Sequence, residues 1–323
     1  MSTPVSEQTR GGLFAFSAYL LWGVLPVYFV LLLPTGPWEI VAWRVLFSLV
    51  VCALLLTVLR GWRAIAEIVR QPRLLGWTLA AGVLIYGNWQ IFLLGTLSGR
   101  IIETSLGYFI NPLVTVLLGV VFLRERLRVM QWVAIGIAAG AVVVIIVGYG
   151  AFPWVALGLA LTFSLYSFIK KKQGDRVDAV SGLTLETAWL TPVAIVQLVL
   201  VATTTGVTLG TVSPLHTILL CLTGVVTALP LLLFAAGARR VPLTVVGLLQ
   251  FLTPIMQFIF GAAVMGEPMP LERWIGFGLV WIALIVLSID MIRAMRRAHR
   301  LKVTAAAASD PEKTWTGSTP LPK

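Results

Sequence analysis

Long apolar runs, interrupted by short polar and basic segments, fill nearly the whole chain. Stretches of about twenty apolar residues, the length a helix needs to cross a ~30 Å hydrocarbon core, recur near 11–32, 38–59, 74–96, 101–123, 130–148, 152–169, 180–203, 214–236, 242–265 and 272–292. None has the strict alternation of a barrel strand. The pattern therefore predicts an all-α integral membrane protein with ten transmembrane helices.

A repeat lies beneath that pattern. Phe109, Pro112, Gly119, Glu125, Trp132 and Gly136 return 142 residues later as Phe251, Pro254, Gly261, Glu267, Trp274 and Gly278. Upstream, Gly82, Phe92 and Gly95 return at the same offset as Gly224, Phe234 and Gly237. Apolar composition alone does not repeat rare residue types at one fixed spacing, so the chain reads as two copies of one unit. The expected organisation is a short tail over 1–10, a first five-helix repeat over 11–148, a second over 149–292, and a basic then disordered tail over 293–323. Five helices is an odd number, so the second copy starts from the opposite face and is inverted relative to the first. Inverted repeats that rock about a central cavity are an architecture of secondary transporters.

The charges set an orientation. Of the 24 Lys and Arg residues, 21 fall in the tails or in the segments after the even-numbered spans. Only Arg100 and Arg273 fall on the other side, and Arg44 lies within a span. Basic loops stay cytoplasmic, so both termini are expected inside. The same placement removes nucleic acid as a partner, because the net charge of +11 is dispersed among loops rather than gathered on one folded face. Cys52 and Cys221 both lie in apolar runs and read as small core residues rather than as a disulfide or metal ligands. The first ten residues carry one basic residue, late, at Arg10, and the apolar run after it is long enough to span, so no cleavable signal is expected.

Polar groups within the spans carry the candidate chemistry, since an ionisable side chain at mid-depth costs about 2.5–3.5 kcal/mol on insertion scales. Arg44 is either a cavity-facing anion site or a paired structural charge, whereas Glu39, at the end of the same span, reads as an interfacial anchor. Asn88 and Trp89 fall near the centre of the third span, Tyr108 and Asn111 at similar depth in the fourth, and Gln250 in the ninth. Pro112 and Pro254 each free the carbonyl four residues earlier, on Tyr108 and Gln250, and Pro26 does the same for Trp22. Broken helices at matching positions point to a binding site. The competing reading is that Asn88, Asn111 and Gln250 bond helices together. Glu186 either pairs with the basic segment Lys170–Lys172 or carries a proton. Glu103, Glu125 and Glu267 stand at helix ends, where capping and ion pairing are the expectation, and Gly119 and Gly261 read as close helix contacts. No HExxH, GxSxG, P-loop or haem-attachment sequence occurs, so neither an enzyme nor a cofactor is expected.

Several of these segments resemble one family. Ser105-Leu-Gly-Tyr-Phe-Ile-Asn-Pro-Leu113 with Glu125, Gly87-Asn88-Trp89, Gly247-Leu-Leu-Gln-Phe251, Ser17-Ala-Tyr-Leu-Leu-Trp-Gly23, Glu186-Thr-Ala-Trp-Leu-Thr-Pro192 and Val280-Trp-Ile-Ala-Leu284 are similar to the RarD-like branch of the EamA transporters, in the drug/metabolite transporter superfamily. The resemblance implies ten helices in two inverted five-helix repeats around a central cavity, in the bacterial inner membrane. It implies transport but no particular ligand. It makes Trp22, Arg44, Asn88, Trp89, Tyr108, Asn111 and Gln250 candidate substrate-binding positions, with Glu186 beside them. Two positions depart from the branch: Trp43 stands where histidine is common, and Phe251 where tyrosine is common. If that histidine carries a proton in relatives, Glu186 is the replacement here. The expectation is a secondary transporter for a small polar or amphipathic metabolite or drug, with efflux as one candidate direction. The alternative is a lipid flippase or a non-transporting membrane partner. Membrane lipids are its surroundings, and its oligomeric state is left open.

Overall fold

The computed structural model describes residues 7–123, 127–149, 152–238 and 249–308. Among the described residues there is no strand. The helices are α1 (Glu7–Val30), α2 (Pro37–Val58), α3 (Trp62–Val69), α4 (Pro72–Leu97), α5 (Ile101–Leu123), α6 (Val129–Tyr149), α7 (Trp154–Gln173), α8 (Ala179–Thr204), α9 (Pro214–Ala238), α10 (Leu252–Ile259) and α11 (Leu271–Ala308). Eight of them are long and apolar enough to cross a membrane, while α7 and α10, the latter with its π-helical extension Phe260–Val264, are apolar but shorter.

Local chemistry sets several helix starts. Proline occupies the first turn of α2 and α4, where its missing N–H would have no intrahelical partner in any case. Asp178 caps α8, its carboxylate accepting the N–H groups of Val180 and Ser181, both at 3.0 Å.

Three elements differ from expectation. The segment after α2 is not simply a basic loop, because Trp62–Val69 forms the short helix α3, whose Ile65 and Ile68 pack with Leu74, Val177 and Leu185. Those residues recur at helical spacing, but over too few turns to stand out beside the long apolar runs. The last helix does not stop near 292 but continues to Ala308, so the tail expected over 293–323 is helical in its first part. Its alanines are the strongest helix formers. The predicted ninth span is interrupted at Gln250 and Phe251, which form a turn before α10. Pro254 thus stands in the first turn of α10 and not in mid-helix. Glu125 and Gly247 lie outside the described residues, as do the surroundings of Gly119.

The exterior is apolar and the interior holds the polar groups, the reverse of a water-soluble domain. Val58 and Val147 are 79% and 78% exposed, whereas Arg44, Asn88, Gln90 and Glu186 are buried. α2 packs on α8 and α9, α1 on α9, α4 on α7, α5 on α7, and α6 on α11, and α10 lies against α1 and α5. Three of these pairs run antiparallel. Gln197 late in α8 donates to the carbonyl of Trp38 early in α2, at 2.7 Å, while Cys52 late in α2 meets Thr184 early in α8. Arg128, just before α6, pairs with Asp290 at the middle of α11, and Ile145 late in α6 lies on Gly276 early in α11. Ser105 early in α5 donates to the carbonyl of Pro254 at 2.8 Å, and Ile102 packs on Gly261 just beyond α10.

Small residues permit the closest approaches, as membrane helix packing requires. A Cβ on Gly224 of α9 would lie 2.4 Å from the backbone carbonyl of Phe47 on α2. The main core joins α1, α2, α4, α7, α8 and α9 around Phe29, Ile40, Val45, Trp89, Phe92, Leu93 and Leu159.

Candidate functional site

α2 carries Arg44 into that core, where it is 4% exposed. Its Nε donates to Thr227 Oγ1 of α9 at 2.8 Å. Its guanidinium carbon lies 4.2 Å from the Trp89 ring centroid on α4 and 5.4 Å from that of Phe29 on α1. Tyr28 of α1 and Tyr108 of α5 interact with it electrostatically. Nη1 is buried without a hydrogen-bond partner, and among the described residues no carboxylate forms an ion pair with Arg44.

The energetics of this arrangement are lopsided. Withdrawing a cation from water costs several kcal/mol even after relaxation. A desolvated cation–π contact returns about 2 kcal/mol and a hydrogen bond to a charged group about 1.5–3 kcal/mol. What is missing is a counter-charge at the buried, unpartnered Nη1. A carboxylate or phosphate would supply it through charge-assisted hydrogen bonds. Tyr108 can add a second donor, because its hydroxyl is held only loosely, 3.5 Å from Asn88 Oδ1.

The other candidate residues divide around this centre. Trp89, Tyr108 and Asn88 gather on the Arg44 side. The Asn88 amide is committed, donating to Leu159 O at 3.2 Å and to Thr162 Oγ1 at 3.0 Å, which ties α4 to α7. Asn111 is turned towards α7, where its Oδ1 accepts from Ser164 at 2.5 Å. Trp22 packs edge-on against Tyr19 and at a tilt against Phe234 at the contact of α1, α9 and α10. Its carbonyl, freed by Pro26, meets Gln257 Nε2 at 3.4 Å. Gln250 is half-buried in the turn before α10. Pro112 lies inside α5, four residues after Tyr108. Glu186 is fully buried, with Oε1 accepting from Lys170 Nζ at 2.9 Å and Oε2 from the Tyr166 hydroxyl at 3.2 Å.

At the end of the bundle away from the arginine-rich segments, three carboxylates hold backbone. Glu39 is not an interfacial anchor: it is buried and accepts the N–H groups of Thr208 and Leu209 together with Trp43 Nε1. Glu103 accepts Val155 N–H at the start of α7 and pairs with Arg100. Glu267 accepts the N–H groups of Ile101 and Ile102 at 2.5 and 2.9 Å, capping α5 across the fold. Burial drives the Glu267 carboxyl above its ordinary value, although those two N–H bonds oppose the shift.

Sequence reasoning missed Tyr28, Phe29 and Thr227 around Arg44, and Tyr166 beside Glu186. The aromatic ones sit within apolar runs and carry no spacing of their own. Thr227 satisfies itself on the Thr223 carbonyl, as threonines in membrane helices generally do.

A bundle with an apolar exterior and a charged, hydrogen-bonded interior defines a multi-pass membrane protein, and the comparisons place it among transporters. The chain belongs to the EamA-like transporter family, which it matches twice, over residues 9–147 and 153–289. It is 43% identical to Protein RarD of Streptomyces exfoliatus over 302 residues, covering 94% of this chain and 95% of that one. It is 36% identical to Protein RarD of Escherichia coli (strain K12) over 296 residues, covering 91% and 99%. The Chloramphenicol-sensitive protein RarD of Pseudomonas aeruginosa is 30% identical over 295 residues, covering 90% and 97%. A crystal structure at 18% identity shares the fold, with a TM-score of 0.54 over 85% of this chain and 96% of that one.

Proposed function

We propose that this protein is a secondary transporter of the bacterial inner membrane, moving a small organic anion by alternating access, with Arg44 as the residue that grips it. The unpaired, buried Arg44 guanidinium carries this reading. Trp89, Phe29 and Tyr108 supply flat walls suited to an amphipathic body attached to the anionic group.

Alternating access follows from a two-fold reading of the bundle. In it, ten helices, all but α3, form two inverted repeats in which α1, α2, α4, α5 and α6 correspond to α7, α8, α9, α10 and α11. The antiparallel packing of α2 on α8, α5 on α10 and α6 on α11 then supports inversion, because each helix lies against its own counterpart. The contact of α1 with α9 likewise answers that of α7 with α4. The two successive family matches support the same division. The arginine-rich end is cytoplasmic in this reading.

The test is untargeted metabolite profiling of cells and medium, comparing wild type with Arg44→Ala at matched membrane levels. A small set of related anions redistributed only by the wild type is the expected result. Identical profiles from the two proteins would overturn the assignment.

A further inference from the structure

Glu186 stands at the same 142-residue offset from Arg44 that organises the repeat, and each is the eighth residue of its helix, α8 and α2. The two positions carry opposite charges and keep different company. Among the described residues Arg44 pairs with no carboxylate. Glu186 is a carboxylate that already holds a cation, Lys170, whose side chain is 27% exposed. Gly182, one turn before Glu186, makes the notch for that cation, because a Cβ there would lie 2.6 Å from Lys170 Nζ. Tyr166 flanks the ammonium at 5.8 Å, much as aromatic rings flank Arg44.

We propose that Lys170 is a second anion-binding residue, beside the position that answers Arg44 at the repeat offset, and that Glu186 occupies it as an internal stand-in for the carboxylate of the transported anion. This rests on the reading that the substrate is an anion. A carboxylate on the same chain competes at an effective concentration in the millimolar range or above. The Arg44 side therefore captures an anion, while the Lys170 side receives it only transiently and lets it go. Glu186 makes release fast by returning to Lys170. A purely structural ion pair would leave no such competition to detect.

The test uses the full chain in lipid nanodiscs with benzoate as probe, a flat carboxylate suited to the rings at both positions. Affinity is read from the rise in unfolding temperature with benzoate concentration. Glu186→Gln keeps the shape and removes the competitor, so benzoate should bind at least about ten-fold more tightly than to wild type (one factor of ten in an equilibrium constant). That gain should persist when Arg44→Ala is added and vanish when Lys170→Met is added. Should the Lys170→Met combination fail to fold, Gly182→Ala with Glu186→Gln serves instead. The new methyl would meet Lys170 Nζ at 2.6 Å and Val177 Cγ1 at 3.2 Å, displacing the tip of the long lysine chain, and the gain should again vanish. If Arg44→Ala weakens benzoate binding while Glu186→Gln does not strengthen it, the second site is wrong and the anion reading stands. If benzoate binding is indifferent to both substitutions, the anion reading falls and the second site with it.

Discussion

Gly224→Ala should loosen α2 from α9 and, with it, the hold on Arg44. The added Cβ would sit 2.4 Å from both the carbonyl carbon and oxygen of Phe47 and 2.9 Å from its Cβ. Carbon atoms pack best at about 3.5–4.0 Å, so the helices must part by roughly 1 Å. Overpacking of this kind costs about 1–3 kcal/mol. Replacing a helical glycine by alanine also returns about 0.8–1.0 kcal/mol of propensity, so the proper reference is a glycine with open surroundings. Gly140 on α6 has nothing within 4 Å of the equivalent Cβ. The difference between Gly224→Ala and Gly140→Ala isolates the clash at about 1–3 kcal/mol. Thr227 lies one helical turn beyond Gly224, so the same displacement stretches its 2.8 Å bond to Arg44 Nε. The assay is thermal unfolding of the two purified variants in one detergent. A Gly224→Ala protein as stable as Gly140→Ala would refute the packing argument.

Asn88→Ala removes two interhelical bonds to α7. Such bonds average about 0.6 kcal/mol and reach about 1.7 in membranes, so a small drop in unfolding temperature is expected, and no drop would deny them a structural role. Asp178→Ala strips the cap of α8 and should cost about 1 kcal/mol. Although burial raises the Asp178 carboxyl, its hydrogen bonds with Ser181 and Val180 outweigh it and hold the group below its ordinary 3.8. The cap's contribution is therefore complete above that value and is lost as pH falls through the lower folded pKa. An unfolding-temperature gap between wild type and Asp178→Ala that widens on acidification would contradict this. Glu267 has the opposite sign. Burial raises its carboxyl above 4.5, so its pH-linked contribution is full below 4.5 and is lost as pH rises through the folded value. Relative to Glu267→Gln, wild type should gain stability on acidification from about pH 7 towards 4.5, and a constant gap between the two would refute the linkage.

Hydrophobic run length was enough to anticipate most of the long helices, because a lipid-facing surface demands about twenty apolar residues wherever a helix crosses. The observed α2, Pro37–Val58, and α8, Ala179–Thr204, begin and end within a residue of the predicted 38–59 and 180–203. Short elements were less legible. α3 spans only eight residues, and its amphipathic spacing is diluted by the arginines around it. The interruption at Gln250 and Phe251 carried no signal beyond a nearby proline. Around the candidate site, Arg44 announced itself because a charge within an apolar run has few explanations. Of its partners, Trp89 was legible from its depth in the third span, but Tyr28 and Phe29 were not, since they look like any other residues of an apolar run until the helices are packed. Glu39 was misjudged for the converse reason: its position near a helix end hid the loop N–H groups that fold over it.

The central claim is that Arg44 grips the transported anion, and the direct measurement is flux of one such anion, chosen from the profiling experiment, into proteoliposomes. Wild type is compared with Arg44→Ala and Arg44→Lys, each shown to be inserted and folded. Truncating one partner of a buried charge pair costs about 2–5 kcal/mol. Arg44→Ala should therefore lose substrate affinity by about thirty-fold to more than a thousand-fold, with Arg44→Lys between it and the wild type. Wild-type flux through Arg44→Ala would contradict the account.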